Sequence, residues 1–263
     1  MTQTDKMIAR TEGAVGHMIF NNPERHNAVS LEMWQACARI MKEFGDNPAI
    51  RVVVISGAGE KAFVSGADIS KFAEERASKD GTERYNSAVE AGYAAVYDCP
   101  KPTIAMIRGY CVGGGMGLAS CCDIRICTPE SRFAVPAAKL SVGYGHPGVK
   151  RLMDIVGPSF TKEIFYTARL FDAEEARTMG FANRVVPADQ LEAYVRDYAA
   201  TISGNAPLTV DSIKFIVGEL LKDESARDLA ACDERAAACF TSKDYEEGRK
   251  AFMEKRKPVF TGK

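Results

Sequence analysis

The run Val52-Val53-Val54-Ile55, closed by Ser56 and Gly57, constrains the fold more than any other segment. A strand on a sheet with one wet face alternates apolar and polar residues. A continuous apolar run instead marks a strand covered on both faces, which is the signature of a parallel sheet between layers of helices. Val15 to Phe20, Pro102 to Ile107 and Asp123 to Cys127 also read as short strands. Helical patterns separate them. Ser30 can cap a helix running to Phe44, with Leu31, Trp34, Ala38 and Met41 on one face, and Thr82 to Tyr97 is helical in period. The β-α-β-α rhythm predicts an α/β fold with a mostly parallel sheet and helical crossovers.

From Gly148 onward helical patterns dominate: Val149 to Val156, Ser159 to Thr167, Ala173 to Met179, Leu191 to Ile202, Leu208 to Leu221 and Ala226 to Phe240, with a charged amphipathic helix over Lys243 to Lys257. Only Arg184 to Val186 reads as a strand there. Residues 1–200 are therefore read as an α/β core and 201–263 as a C-terminal helical region able to dock on a neighbouring subunit. Lys and Arg number 34 against 35 Asp and Glu, so the basic excess of a nucleic-acid binder is missing. No apolar run approaches the roughly 18 residues of a membrane helix, and the N-terminus carries no apolar export core, which predicts a cytoplasmic chain. The 8 cysteines form no C-x-x-C pair and read as reduced, buried side chains. The 3 histidines show no metal-ligand spacing, so no metal is expected.

Two glycine-containing turns follow two of the apolar strands: Gly57 to Asp68, and Gly109 through Gly113-Gly114-Gly115 to Gly117. Turns after the strands are where open α/β sheets bind ligands. Neither turn is a phosphate loop or a G-x-G-x-x-G fingerprint, because no Gly-Lys-Ser/Thr follows and Ala62 and Leu118 stand at the third-glycine positions. Three glycines opening a helix let backbone N–H groups approach a ligand at the positive end of the helix dipole. Two such groups converging make an oxyanion hole; close helix packing explains the same glycines without a ligand.

The order of these segments resembles the crotonase superfamily, the enoyl-CoA hydratase/isomerase family. Asn22-Pro23-Glu24-Arg25-His26-Asn27-Ala28 is similar to its N-terminal signature, Lys61-Ala62-Phe63 through Gly66-Ala67-Asp68-Ile69 to its first oxyanion loop, and Gly109-Tyr110 through Gly113-Gly114-Gly115 to Cys122-Asp123-Ile124 to its second. Phe133 to Pro136, Phe171 to Ala176, Val185-Val186-Pro187 and the tail Glu247 to Arg256 match as well. The resemblance implies a crotonase-type β/α spiral core with a C-terminal helical region, assembled as a homotrimer or dimer of trimers. It implies an acyl-CoA thioester as substrate, with no separate cofactor. By carry-over, the Ala67 and Gly114 N–H groups would hold the thioester oxygen. Arg25, Ala67, Asp68 and Ile69 would line the coenzyme A end, joined by Phe252 and Lys255 from a neighbouring subunit.

The same resemblance implies a gap. Family hydratases carry two glutamates that activate water; here those positions are Gly117 and Ala137. Acid–base catalysis supplies roughly 10²–10⁴-fold, so two-glutamate hydration is not expected. The stretch Ser141 to Gly148 instead offers Tyr144 and His146 along the implied active-site wall, and the family's decarboxylases place a tyrosine at the position of Tyr144. A phenol can orient a leaving carboxylate or protonate the product, and an imidazole can act near neutral pH. Packing of Tyr144 in the wall and a loop position for His146 are the alternatives. The reading is an acyl-CoA enzyme, a lyase favouring decarboxylase-like or variant lyase/isomerase chemistry. The alternatives are a thioester hydrolase, a catalytically silent acyl-CoA-binding protein, and a degradative enzyme for bulky cyclic acyl groups.

Overall fold

The computed structural model describes residues 4–71 and 78–263. Its main sheet has six strands: β1 (Met7–Glu12), β2 (Val15–Phe20), β3 (Val52–Gly57), β5 (Thr103–Ile107), β7 (Ile124–Cys127) and β9 (Arg184–Val185), in the order β1-β2-β3-β5-β7-β9. β1 and β2 form an antiparallel hairpin, and the remaining neighbours are parallel. A second, parallel sheet is built from three-residue strands, β4 (Ala62–Val64), β6 (Tyr110–Val112) and β8 (Arg132–Ala134). Each of β3, β5 and β7 thus runs into a short strand of the second sheet, and successive turns stack as a spiral.

The apolar run Val52 to Ile55 is covered on both faces. Val53 and Ile55 belong to the larger core with helices α1 (Leu31–Asp46) and α2 (Lys79–Tyr97), while Val52 and Val54 pack on the opposite side against Val195 and Ala199 of α7 (Leu191–Gly204). The buried stripe of α1 is centred on Met33, Trp34, Cys37, Ile40, Met41 and Phe44; Leu31 and Ala38 sit at its margins, so the expected face is rotated. Ser30 holds the N-cap position without a hydrogen bond from its side chain to the helix.

The glycine turns are tight for steric reasons. A Cβ on Gly57 would lie 2.2 Å from the Phe63 carbonyl oxygen, and one on Gly109, which has φ +67°, 2.0 Å from that of Lys61. Helix α3 (Gly114–Cys121) starts in the second glycine turn and leads into β7, and α4 (Ala137–Leu140) follows β8. The two expected helices, 149–156 and 159–167, follow each other within α5 (His146–Thr167) and are parted at Gly157, whose backbone is non-helical (φ 75°, ψ 169°), just before Pro158. Helix α6 (Ala173–Thr178) has a capping box between Asp172 and Glu175.

The sequence-based boundary at residue 200 falls inside α7, whose Val195 and Ala199 belong to the sheet core, so the helical region begins after Gly204. It comprises α8 (Pro207–Leu220), α9 (Leu229–Phe240) and α10 (Lys243–Met253). This region is fastened to the sheet by Lys214, which donates to Asp123 at 2.7 Å, and by Arg51, which donates to the Phe260 carbonyl at 2.7 Å. Among the described residues no helix is long and apolar enough to cross a membrane, and no cluster of metal-ligating side chains occurs.

Candidate active site

A cavity of about 480 Å³ opens beside the two glycine turns. Ser65-Gly66-Ala67 and Val112-Gly113-Gly114 form one wall, α2 a second, and the segment from Val135 into α5 the third. The two loops touch: a Cβ built on Gly66 would lie 3.8 Å from the Gly114 nitrogen.

The first loop is set by the Asn22-to-Ala28 segment. The Asn27 side chain donates to the carbonyls of Ala58 (2.9 Å) and Ala62 (2.7 Å), and accepts from the Asn22 N–H. Val29 then brackets Ala67. Its N–H donates to the Gly66 carbonyl (2.8 Å) and its carbonyl accepts from the Asp68 N–H (3.0 Å). In a parallel bridge this leaves the Ala67 N–H pointing away from Val29, and it donates to no protein acceptor among the described residues. The second loop is held by the Gly113 N–H on the Ala134 carbonyl (2.8 Å), and Gly114 is the first residue of α3. The Gly114 N–H is thus an orphan donor of a helix N-terminus, where the dipole is positive. Gly115 permits the close approach of α3 to β4, since a Cβ there would sit 2.0 Å from the Val64 carbonyl oxygen.

Gly117 and Ala137 both line this cavity. The space beside Gly117 is filled by a group that the sequence reading did not single out. The Tyr93 phenol of α2 would be 2.6 Å from a Cβ on Gly117, and it donates to the Gly114 carbonyl at 2.9 Å. Its ring packs edge-on to Trp34, and burial pushes its pKa well above the ordinary phenol range, so it stays a neutral donor. Tyr144 also lines the cavity, edge-on to Phe165 with ring centroids 5.1 Å apart, and burial raises its pKa too.

His146 does not line the cavity. It is the exposed first residue of α5, with Gly145 at the N-cap position. The sequence missed two charged groups that do line it, Glu90 of α2 and Arg151 of α5, which pair at 2.6 Å. Burial is the largest single influence and opposes the Arg151 cation, but the hydrogen bond to Glu90 and the neighbouring acidic groups, Glu90 and Asp98 among them, together outweigh it and raise the pKa.

The remaining candidates lie outside the cavity lining. Arg25 pairs with the buried Asp68 at 3.4 Å and also donates to Ser70, while Asp68 accepts from the Ser70 N–H at 3.1 Å. Both side chains thereby shape the turn after Ala67. Ile69 opens the short 3-10 turn Ile69–Lys71, and its side chain lies outside the described part of the structure. Phe252 is 82% exposed on the last turn of α10, and Lys255 follows that helix with φ 54°. Neither residue is among those that line the cavity.

Comparison with known proteins follows the same outline. The profile of the enoyl-CoA hydratase/isomerase family matches residues 10–263. The chain is 30% identical over 259 residues to a crotonyl-CoA hydratase of Syntrophomonas wolfei, covering 98% of this chain and 99% of that one. It is 34% identical over 257 residues to a carnitinyl-CoA dehydratase of Proteus mirabilis, covering 96% and 97%. A crystal structure of an enoyl-CoA hydratase/carnithine racemase from Magnetospirillum magneticum superposes with a TM-score of 0.94 at 36% identity, covering 99% of this chain and 97% of that one.

Proposed function

The chain belongs to the enoyl-CoA hydratase/isomerase family, and we propose that it binds an acyl-CoA thioester with its carbonyl oxygen between the Ala67 and Gly114 N–H groups. It is an acyl-CoA enzyme of the crotonase type. The observation that carries the proposal is the pair of unengaged donors on two adjoining loops at the cavity wall. Donors fixed in advance by Val29 and Ala134 need no reorganisation when a carbonyl oxygen gains charge, and each is worth roughly 3 kcal/mol of barrier.

The reaction is of the variant lyase or isomerase kind, with decarboxylation included, and proceeds through a thioester enolate. Gly117 and Ala137 supply no proton, and the Tyr93 phenol fills the space a glutamate at 117 would need. Decarboxylation needs no base, since the electrons of the breaking carbon–carbon bond become the enolate; Tyr144, a neutral phenol on the cavity wall, then serves as hydrogen-bond donor. The exposed Phe252 fits an assembly of trimers or pairs of trimers in which a neighbour's tail completes the coenzyme A end.

A panel of malonyl-type, enoyl and aryl thioesters, with products read by mass spectrometry, tests the proposal. Turnover is expected with at least one class, and slow hydration of crotonyl-CoA. Binding without turnover across the panel would leave a silent binding protein; no binding at all would refute the assignment of the cavity.

A further inference from the structure

We infer that Glu90, held by Arg151, is the proton-transfer group of the acyl cavity. The inference rests on the thioester reading above and names the residue that does chemistry there. Among the described residues that line the cavity, Glu90 is the only carboxylate and Arg151 the only other charged side chain. They reach it from different helices, α2 and α5, 61 positions apart in sequence.

The contact between them is single. Arg151 Nη2 donates to Glu90 Oε1 at 2.6 Å, the guanidinium carbon lies 5.3 Å from the centre of the Tyr97 ring, and Nη1 is buried with no hydrogen-bond partner. A pair that serves only to fasten two helices gains most from two parallel bonds. Here Glu90 Oε2 accepts from no protein donor among the described residues. The arginine side chain is 13% exposed and the glutamate 49%, so the cation is sunk in the wall and the carboxylate stands in the open space.

The helix places that carboxylate near the reacting carbons. Asn86, Val89, Glu90 and Tyr93 share the face of α2 turned to the cavity. Glu90 is one turn before Tyr93, with about 5–6 Å between Cβ atoms at that spacing, and the Tyr93 phenol touches the Gly114 carbonyl. A thioester whose oxygen lies at Ala67 and Gly114 has its α-carbon one bond from the carbonyl carbon, in the same cavity.

The step balances without a co-reactant. Glu90 Oε2 takes a proton from a carbon of the acyl chain, α in a saturated thioester or a 3-enoyl thioester, γ in a 2-enoyl one. In the α case the electron pair of that carbon–hydrogen bond becomes the double bond between the α-carbon and the carbonyl carbon. In the γ case it becomes the 3,4 double bond, while the 2,3 π pair shifts to the bond between the α-carbon and the carbonyl carbon. In both, the carbonyl π pair moves to the oxygen held by the two N–H groups. The carboxylic acid so formed returns the proton to the same carbon or, in an enoyl chain, to the other of the two, which moves the double bond between the 2,3 and 3,4 positions. One carboxylate suffices for this, whereas adding water across a double bond calls on two. Arg151 is the positioning residue that holds the carboxylate in place through Oε1 and leaves Oε2 to the cavity.

The experiment is deuterium wash-in from D₂O into butyryl-CoA, phenylacetyl-CoA and crotonyl-CoA, read by mass spectrometry, with thioester affinity measured in parallel by calorimetry. The wild type is expected to exchange with at least one of them. Glu90→Gln should lose about a hundredfold or more in exchange rate with little change in affinity. Glu90→Asp should recover part of the rate, and Arg151→Lys should retain more of it than Arg151→Gln, with the loss in rate and not in affinity. Exchange by Glu90→Gln within about threefold of wild type overturns the inference, as does a wild type that binds all three thioesters and exchanges none. If Gly114→Pro abolishes exchange and Glu90→Gln does not, the oxyanion hole stands and Glu90 falls. If no thioester binds, the reading of the cavity fails and Glu90 falls with it.

Discussion

Replacing Gly114 by proline removes one N–H and little else. Gly114 is the first residue of α3, a position where proline is favoured because its N–H would be unpaired anyway. The preceding residue, Gly113, has φ 56° and ψ −114°, the mirror image of the extended region that proline demands of its neighbour, and it has no Cβ to meet the ring. A Cβ on Gly114 would come to 3.4 Å from the Tyr93 phenol oxygen and 3.5 Å from Trp34, which are ordinary contacts. The fold should therefore survive. If this N–H is half of an oxyanion hole, turnover should fall about 10²–10³-fold, or about 2.7–4 kcal/mol of barrier. Gly114→Ala adds the same Cβ and keeps the N–H, so it should retain most of the activity. The assay is the initial rate on whichever thioester the wild type turns over, with circular dichroism and thermal melting as fold controls. A folded Gly114→Pro within about tenfold of wild type would refute the hole. Equal losses in both variants would refute it too, because the effect would then be steric.

Two other measurements bear on the same geometry. Gly117→Glu restores a carboxylate at 117 but drives its Cβ to 2.6 Å from the Tyr93 phenol, so it should destabilise the protein; Tyr93→Ala combined with it should recover melting temperature, and purely additive losses would show that the two positions do not compete. Glu247 is held down to about 2 by its hydrogen bond to Arg256 and then by the Val259 N–H. A carboxylate with a depressed pKa contributes stability that is whole above its unfolded value, about 4.3, and is lost as pH falls towards about 2. The melting-temperature gap between wild type and Glu247→Gln should accordingly be constant above pH ~5 and close between ~4.3 and ~2; a gap that persists at pH 2 would refute the coupling.

The sheet was readable from sequence because a strand buried on both faces has few solutions: Val52 to Ile55 admit little else than the middle of a parallel sheet. The second sheet was not readable. β4, β6 and β8 have three residues each, too few to show a period, and they are set by glycines and ladders from turns far apart in the chain. The signature segments were legible as motifs, but their work is largely structural: Asn27 ties the first turn, Phe171 bridges Phe133, and Asp172 caps α6. Glu90 and Tyr93 were hidden because a charge and an aromatic on an amphipathic helix look like a rim and a core residue. Their partners, Arg151 and the Gly114 carbonyl, are 61 and 21 positions away. His146 is two residues from Tyr144 in sequence, yet it stands past Gly145 as the exposed first residue of α5 and is not among the residues that line the cavity.

The backbone donors and the side chains of the cavity are held by different means. The Ala67 and Gly114 donors are backbone groups fixed by Val29, Ala134 and the packing of Gly115 on Val64, none of which depends on what occupies positions 117 and 137. Side chains on α2, α4 and α5 can therefore change the proton chemistry while the donors stay in place. Tyr93 joins the two systems. Its phenol closes the space beside Gly117 and donates to the carbonyl of the residue whose N–H faces the cavity. That bond draws electron density from the Gly114 carbonyl and pins the first turn of α3. Glycine at 117 therefore also serves as the room that lets a helix 24 positions upstream brace the loop.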